Sequence, residues 1–142
     1  MDQQRKNILI ICAIGMFSVF MPWVHAPIVG SLSGSQGDGW FVFGFFAIAA
    51  VIAYYKDNTK PLSGNRIRDI NAMGALAIMF GVWKLLTITS ITSDPSLEGN
   101  PFAEMLDMSV SVGIGLYLVI LAGLALPIYN YSSKKKNQHI SK

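Results

Sequence analysis

Lys84 is the residue whose position in the sequence most favours a chemical role. It lies in MFGVWKLLTI and is the only charged residue of the apolar stretch at 70–92. An ionisable side chain inside a membrane span costs about 2.5–3.5 kcal/mol on insertion scales and is a functional hypothesis by default. Its candidate polar partners are Asp38, Asp107, Tyr117 at a similar depth, Ser18, and freed backbone carbonyl groups. Three hypotheses stay open: a structural lysine bonded within the protein, a lining residue of an ion, proton or substrate pathway, or a contact to a partner subunit.

Catalysis by serine, histidine and aspartate is the second chemistry that these residue types permit. His25, Asp38 and the serines at 31, 33 and 35 supply the side chains, but no nucleophile elbow surrounds the serines. The chain also has no phosphate-binding glycine loop, no paired carboxylates within an apolar stretch and no histidine pair for a metal or haem. We therefore predict a non-enzymatic protein with no catalytic residues, no cofactor and no metal site.

Four apolar stretches are the elements that must position these side chains. Hydrophobic residues make up 52% of the 142 residues and charged residues only 13%, whereas roughly a quarter of residues are charged in a typical soluble domain. Because a membrane span needs about 20 mainly apolar residues, we predict an all-α membrane protein with one domain, residues 1–142. That domain would be a four-transmembrane-helix bundle with spans at about 7–25, 39–56, 70–92 and 108–131, followed by a basic tail at 132–142.

The first apolar stretch also has the features of a signal peptide. Arg5 and Lys6 precede its apolar core, and Val24-His25-Ala26 looks like a small-residue cleavage site. Pro27 would then directly follow the cut, where its fixed φ and missing N–H make a poor junction. We expect a retained span.

Basic residues lie on one side of the four predicted spans. Every Lys and Arg except Lys84 falls before span 1, between spans 2 and 3, or after span 4, and the opposite loops contain only acidic charges. Because Lys and Arg mark the cytoplasmic side, we predict a multi-pass protein of a plasma (inner) membrane with cytoplasmic N- and C-termini. The basic clusters would contact the lipid bilayer through anionic headgroups. No nucleic-acid-binding motif accompanies them, so we expect no nucleic-acid partner.

Two tryptophans flank the predicted first outer loop, residues 22–39. Trp23 would close span 1 and Trp40 would open span 2, both at the membrane–water interface that indole rings favour. Asp38 stands just before the second helix, where a carboxylate can accept hydrogen bonds from free N–H groups. A contact of Asp38 to a cation or to a partner is the alternative.

The two outer loops would together form a cap over the bundle. His25 in the first loop and Asp107 at the end of the second are further contact candidates. Ile28, Val29 and Leu32 predict a short extended segment or hairpin in the first loop. The second loop is acidic, but the spacing of its carboxylates matches no calcium-binding loop.

Small residues and one proline predict how the helices pack. Ala49 with Ala53, and Ala77 with Gly81, lie four residues apart and would allow close helix contact. Formation of a homo-oligomer through one of these faces is the alternative. Pro127 should kink or end the last helix.

The first 55 residues carry a resemblance. Residues 8 to 55, approximately, resemble a pattern found in small, uncharacterised bacterial four-span membrane proteins. The pattern is an apolar helix that ends in Pro-Trp-Val, then a Gly/Ser loop, then Gly-Asp-Gly-Trp at the start of the next helix. In topology alone the chain also resembles claudin-type proteins, whose Gly-Leu-Trp loop signature with paired cysteines is absent here. The resemblance implies a bacterial plasma membrane and no specific activity.

The expected function follows from topology and from Lys84. We expect a non-enzymatic small integral membrane protein, an accessory or interaction subunit with a protein partner or a second copy of itself. The alternative is a small channel, holin-like pore or transporter subunit that uses Lys84, with Tyr117, as polar lining.

Overall fold

The computed structural model describes residues 1–26, 30–55, 62–92 and 111–140 of the chain. The helices are α1 (Gln3–Ser18), α2 (Gly39–Tyr54), α3 (Gly64–Thr92) and α4 (Ile114–Ile140). The strands are β1 (Pro22–Ala26), β2 (Gly30–Ser33) and β3 (Ser111–Val112), and a 3₁₀ turn at Gly34–Gln36 connects β2 towards α2.

The predicted all-α, four-transmembrane-helix bundle is wrong. Only two of the described helices are long and apolar enough to cross a membrane, over Gly64–Ser90 of α3 and Ile114–Ser133 of α4. Helices α1 and α2 have 16 residues each, so each rises about 24 Å, less than the roughly 30 Å of a bilayer's hydrocarbon core. A three-stranded antiparallel sheet is also part of the fold.

The first predicted span, 7–25, fails because its last third is not helical. Helix α1 ends at Ser18, and the chain enters β1 at Pro22. Proline has no N–H to donate, and it disfavours the helical conformation of the residue before it. Apolar content by itself does not separate a buried helix from a buried strand, so composition assigns residues 22–25 to the helix although they form a strand.

The boundaries of the other predicted spans shift as well. The stretch predicted as span 4 includes β3, and α4 starts only at Ile114. Helix α4 then continues past Pro127 to Ile140, so the proline does not end it. Helix α3 begins at Gly64, upstream of the predicted start at residue 70. The second outer loop, with Asp107, lies outside the described residues.

The sheet has the strand order β2–β1–β3. Strands β1 and β2 form an antiparallel hairpin in which Val24 pairs with Leu32. The short hairpin predicted for this loop is therefore present. Ile28 and Val29 lie outside the described residues. On its other side β1 pairs with β3 through Val24 and Val112. Because β3 directly precedes α4, this pairing ties the start of α4 to the segment that follows α1.

Helix α1 packs against α2 and α4, and α3 packs against the same two helices. The predicted small-residue positions Ala49, Ala53 and Ala77 are fully buried. A close contact between α3 and α4 that was not predicted joins Gly74 to Gly123. A Cβ atom added to Gly74 would lie 2.9 Å from the carbonyl oxygen of Gly123, so glycine is the residue that fits there without a shift of the backbone.

Much of the apolar surface of α3 and α4 faces outward. Only 17% of the most apolar stretch of α3 and 39% of that of α4 are buried inside the protein. The core helix of a soluble protein would be mostly buried. The two helices therefore indicate that the protein associates with a membrane.

Candidate functional site

The side chains of Lys84 and Asp38 form an ion pair that joins α3 to the start of α2. Of the candidate polar partners named from the sequence, Lys84 therefore contacts Asp38, the residue that directly precedes α2. The Lys84 side chain is 23% exposed and that of Asp38 is 53% exposed. The pair thus lies at the protein surface, with the ammonium group more sheltered than the carboxylate.

Two aromatic rings lie close to the ammonium group of Lys84. Its Nζ lies 4.9 Å from the centroid of the Trp83 ring and 5.8 Å from that of Phe80, within the range of a cation–π interaction. The Phe80 ring also contacts Phe41 of α2, with 6.0 Å between the ring centroids. We call these residues, Asp38, Phe41, Phe80, Trp83 and Lys84, the Lys84 site.

The Lys84 site is built at the level where α2 begins. Asp38 occupies the N-cap position of α2, but its side chain caps no backbone N–H, so the predicted capping role is wrong. The carboxylate is directed to Lys84 instead. Helix α3 continues from Lys84 to Thr92, about 12 Å further at 1.5 Å per residue. The ion pair places Lys84 beside the start of α2, next to the 3₁₀ turn that follows the sheet.

Close backbone contacts hold Asp38 in this position. The 3₁₀ turn follows β2, and its Ser35 N–H donates to the Val19 carbonyl oxygen at 2.9 Å. A Cβ added to Gly39 would lie 2.5 Å from the Gly34 carbonyl oxygen. The glycine directly after Asp38 thus allows the turn and the start of α2 to touch.

Trp23 and Trp40 have different environments. Trp23 lies in β1, is 6% exposed, and donates from its indole Nε1 to the Ser18 carbonyl oxygen at the end of α1, at 3.0 Å. It is thus a core residue of the sheet rather than the exposed end of a helix. Trp40 is exposed in the first turn of α2 and donates to the Ser35 carbonyl oxygen at 3.0 Å. Its ring contacts Phe20 and Phe43.

The remaining predicted residues are not brought to the Lys84 site. His25 is exposed in β1 and pairs with Ser31 and Ser111 through the strand backbones; no hydrogen bond joins its side chain to Asp38 within the described residues. Tyr117 is half exposed on α4. In the parts of the chain that the structure describes, no three His, Cys, Asp or Glu side chains are close enough together to hold a metal ion.

A polar cluster at the opposite end of the helices was missed by sequence reasoning. Asn130 of α4 is 2% exposed, donates to Asn71 of α3 at 2.6 Å and accepts from Gln4 of α1 at 3.4 Å. Arg5 is 3% exposed and donates to the Ala53 carbonyl oxygen of α2 at 2.7 Å. The available signal was Asn130 itself, an amide inside the apolar part of α4, comparable to Lys84 inside the apolar part of α3.

In comparisons with known proteins, no family model, no curated protein and no solved structure matches this chain.

Proposed function

We propose that this chain is a non-enzymatic integral membrane protein of a bacterial plasma membrane that acts as an interaction subunit. Its contact with a partner protein would be made by the Lys84 site. The observation that carries the proposal is the placement of Lys84, the one charge in the apolar part of α3. It is held by Asp38 at the surface, beside the exposed rings of Trp83 and Phe41 and the partly buried ring of Phe80.

The composition of the Lys84 site supports a protein contact. Trp83 and Phe41 are 56% and 62% exposed. Aromatic side chains are enriched in the centres of protein interfaces, where their large area is removed from solvent or lipid. The ion pair among these rings would make the contact specific, because a partner must place a polar or basic group against the half-exposed carboxylate of Asp38.

A pathway role for Lys84 would need a cavity beside its ammonium group. One cavity within the described residues lies where α3 begins and includes Ile67 in its lining. Ile67 is roughly 25 Å from Lys84 along the helix. This cavity is therefore too far from Lys84 to serve as its pathway, and we keep the channel or transporter alternative as an outcome of the experiment below.

The membrane arrangement that we propose has α3 and α4 as crossing helices. Gln4, Asn71 and Asn130 bring the start of α1, the start of α3 and the later part of α4 to one end. These same segments contain the basic residues Arg5, Lys6, Arg66 and Arg68. By the positive-inside rule this end is cytoplasmic, with both termini, and the sheet and the Lys84 site lie at the outer side.

Site-specific photo-crosslinking in native membranes tests the interaction role. A photoreactive amino acid replaces Leu86, which is 61% exposed on α3 one turn from Trp83, and in the matched control replaces Leu121, which is 60% exposed on α4. We expect one discrete protein adduct at position 86, identified by mass spectrometry, that is weakened several-fold by Asp38→Asn and is absent at position 121.

Three other results would overturn the interaction role. Adducts to lipid alone at both positions would mean that α3 faces only the bilayer. An adduct of equal strength at position 121 would show that contact is not specific to the Lys84 site. Ion flux through liposomes that is abolished by Lys84→Met would favour the pore alternative. An adduct between two copies of the chain would identify the partner as the protein itself.

A further inference from the structure

A groove of about 620 Å³ lies between α3 and α4 at the end of the molecule where α3 begins. Ile67 of α3 and Pro127 and Ile128 of α4 give it apolar walls, and Arg68 and Asn71 add polar groups. The volume is in the range of small-molecule sites, roughly 300–1,000 Å³. The groove is open rather than enclosed, and it is formed by the two helices that are long and apolar enough to cross a membrane.

Arg68 is the basic group of this groove that is available to a ligand. Arg66 donates to the Tyr55 carbonyl oxygen at 2.7 Å, and Arg5 donates to that of Ala53. Arg68 is exposed, and within the described residues its guanidinium has no carboxylate or carbonyl partner. A guanidinium presents paired donors that fit two oxygens of a phosphate group.

We propose that the groove binds one anionic glycerophospholipid. The headgroup phosphate would lie on Arg68, and an acyl chain would follow Ile67 and Ile128 along the outside of α3 and α4. The proposal rests on the proposed function in one respect, that α3 and α4 cross a membrane with this end on the cytoplasmic side. There the surrounding medium is lipid, and basic pockets between membrane helices on that side select anionic headgroups.

The charge of Arg68 and the apolar lining of the groove together favour an anionic lipid over other ligands. A free phosphate ion would use Arg68 but leave the apolar walls of the groove uncovered. A neutral lipid would cover the walls but gain nothing from the guanidinium. The other basic residues at this end, among them Lys6 and Arg66, raise the local concentration of anionic lipid without lining the groove.

Native mass spectrometry of the purified full-length protein tests the proposal. The protein is reconstituted in bilayer discs with equal amounts of phosphatidylglycerol and phosphatidylcholine, then released in mild detergent. We expect one phosphatidylglycerol retained per chain, about tenfold over phosphatidylcholine. Arg68→Gln should lower this retention about fivefold, because it removes from the groove the paired donors that would contact the headgroup phosphate. The control Lys6→Gln removes the same charge from an exposed site on α1 and should change retention less than twofold.

A second variant tests the apolar part of the groove. Ile128→Trp places a larger ring where the acyl chain would lie and should lower retention although every charge is kept. Equal retention of the two lipids, or equal losses in Arg68→Gln and Lys6→Gln, would overturn the proposal and leave the interaction role of the Lys84 site standing. Failure of the protein to incorporate into bilayers at all would instead overturn the membrane location on which both proposals depend.

Discussion

The Lys84 ammonium group of α3 forms an ion pair with Asp38, the residue that directly precedes α2. This contact joins two residues that are 46 positions apart in the chain. It also turns the one charge in the apolar part of α3 towards a surface that contains Trp83 and Phe41. The pair is therefore placed to act in recognition, and its contribution to stability can be tested separately.

Replacement of Lys84 should leave the protein folded. We expect Lys84→Met and Asp38→Asn each to change the free energy of unfolding by less than about 1 kcal/mol, because Asp38 is half exposed and exposed ion pairs contribute little. Denaturant unfolding in detergent micelles measures this, and the double variant gives the coupling energy. A loss near 3 kcal/mol or more would instead assign the pair a structural role, as in a buried ion pair that loses one partner.

Gly74→Ala should destabilise the contact between α3 and α4. The added methyl group would meet the carbonyl oxygen of Gly123 at 2.9 Å, and a backbone atom inside a helix cannot easily move away. Overpacking of this kind costs about 1–3 kcal/mol. The matched control is Gly44→Ala in α2, where nothing lies within 4 Å of the added atom.

The control should be neutral or stabilising by up to about 1 kcal/mol, because alanine favours a helix more than glycine does. Thermal unfolding followed by circular dichroism compares the two variants. If Gly74→Ala unfolds at the same temperature as Gly44→Ala, α3 and α4 are not in contact at this point.

Asn130→Ala should remove the bonds that tie α4 to α3 and α1. Asn71 and Gln4 would each lose a partner, and a buried polar group left unsatisfied costs about 1–3 kcal/mol. Ser132→Ala, on the same helix outside this cluster, is the control and should change the unfolding free energy by less than about 0.5 kcal/mol. Similar effects of the two substitutions would show that the amide cluster does not form.

The proposed orientation predicts which residues an impermeant reagent reaches. In a Cys12→Ala background, Gln36→Cys lies on the turn beside the sheet, and Gln3→Cys lies at the start of α1. A charged maleimide should label position 36 in intact spheroplasts and position 3 only after the membrane is permeabilised. The opposite pattern would invert the orientation, and labelling of both positions before permeabilisation would contradict a cytoplasmic N-terminus.

Sequence reasoning located most of the helical segments and the residue at the centre of the candidate site. Apolar stretches predicted helices where α2 and α3 lie, because hydrophobic content and length are properties of the chain itself. An isolated lysine in such a stretch is conspicuous for the same reason, and Asp38 was among its predicted partners. The choice among those partners could not be made, because it depends on which helix ends lie at the same level.

Composition and the order of charges along the chain are enough to establish that it is apolar, that its charges are segregated, and that Lys84 interrupts an apolar helix. They do not reveal that Pro22–Ala26 is a strand, because its pairing with Leu32 and Val112 involves a residue far along the chain. The folded arrangement of the helices and strands also buries Trp23, directs Asp38 to Lys84 instead of to the N–H groups of α2, and brings Asn130 to Asn71. Each of these contacts depends on distances between elements, which local composition and periodicity do not contain.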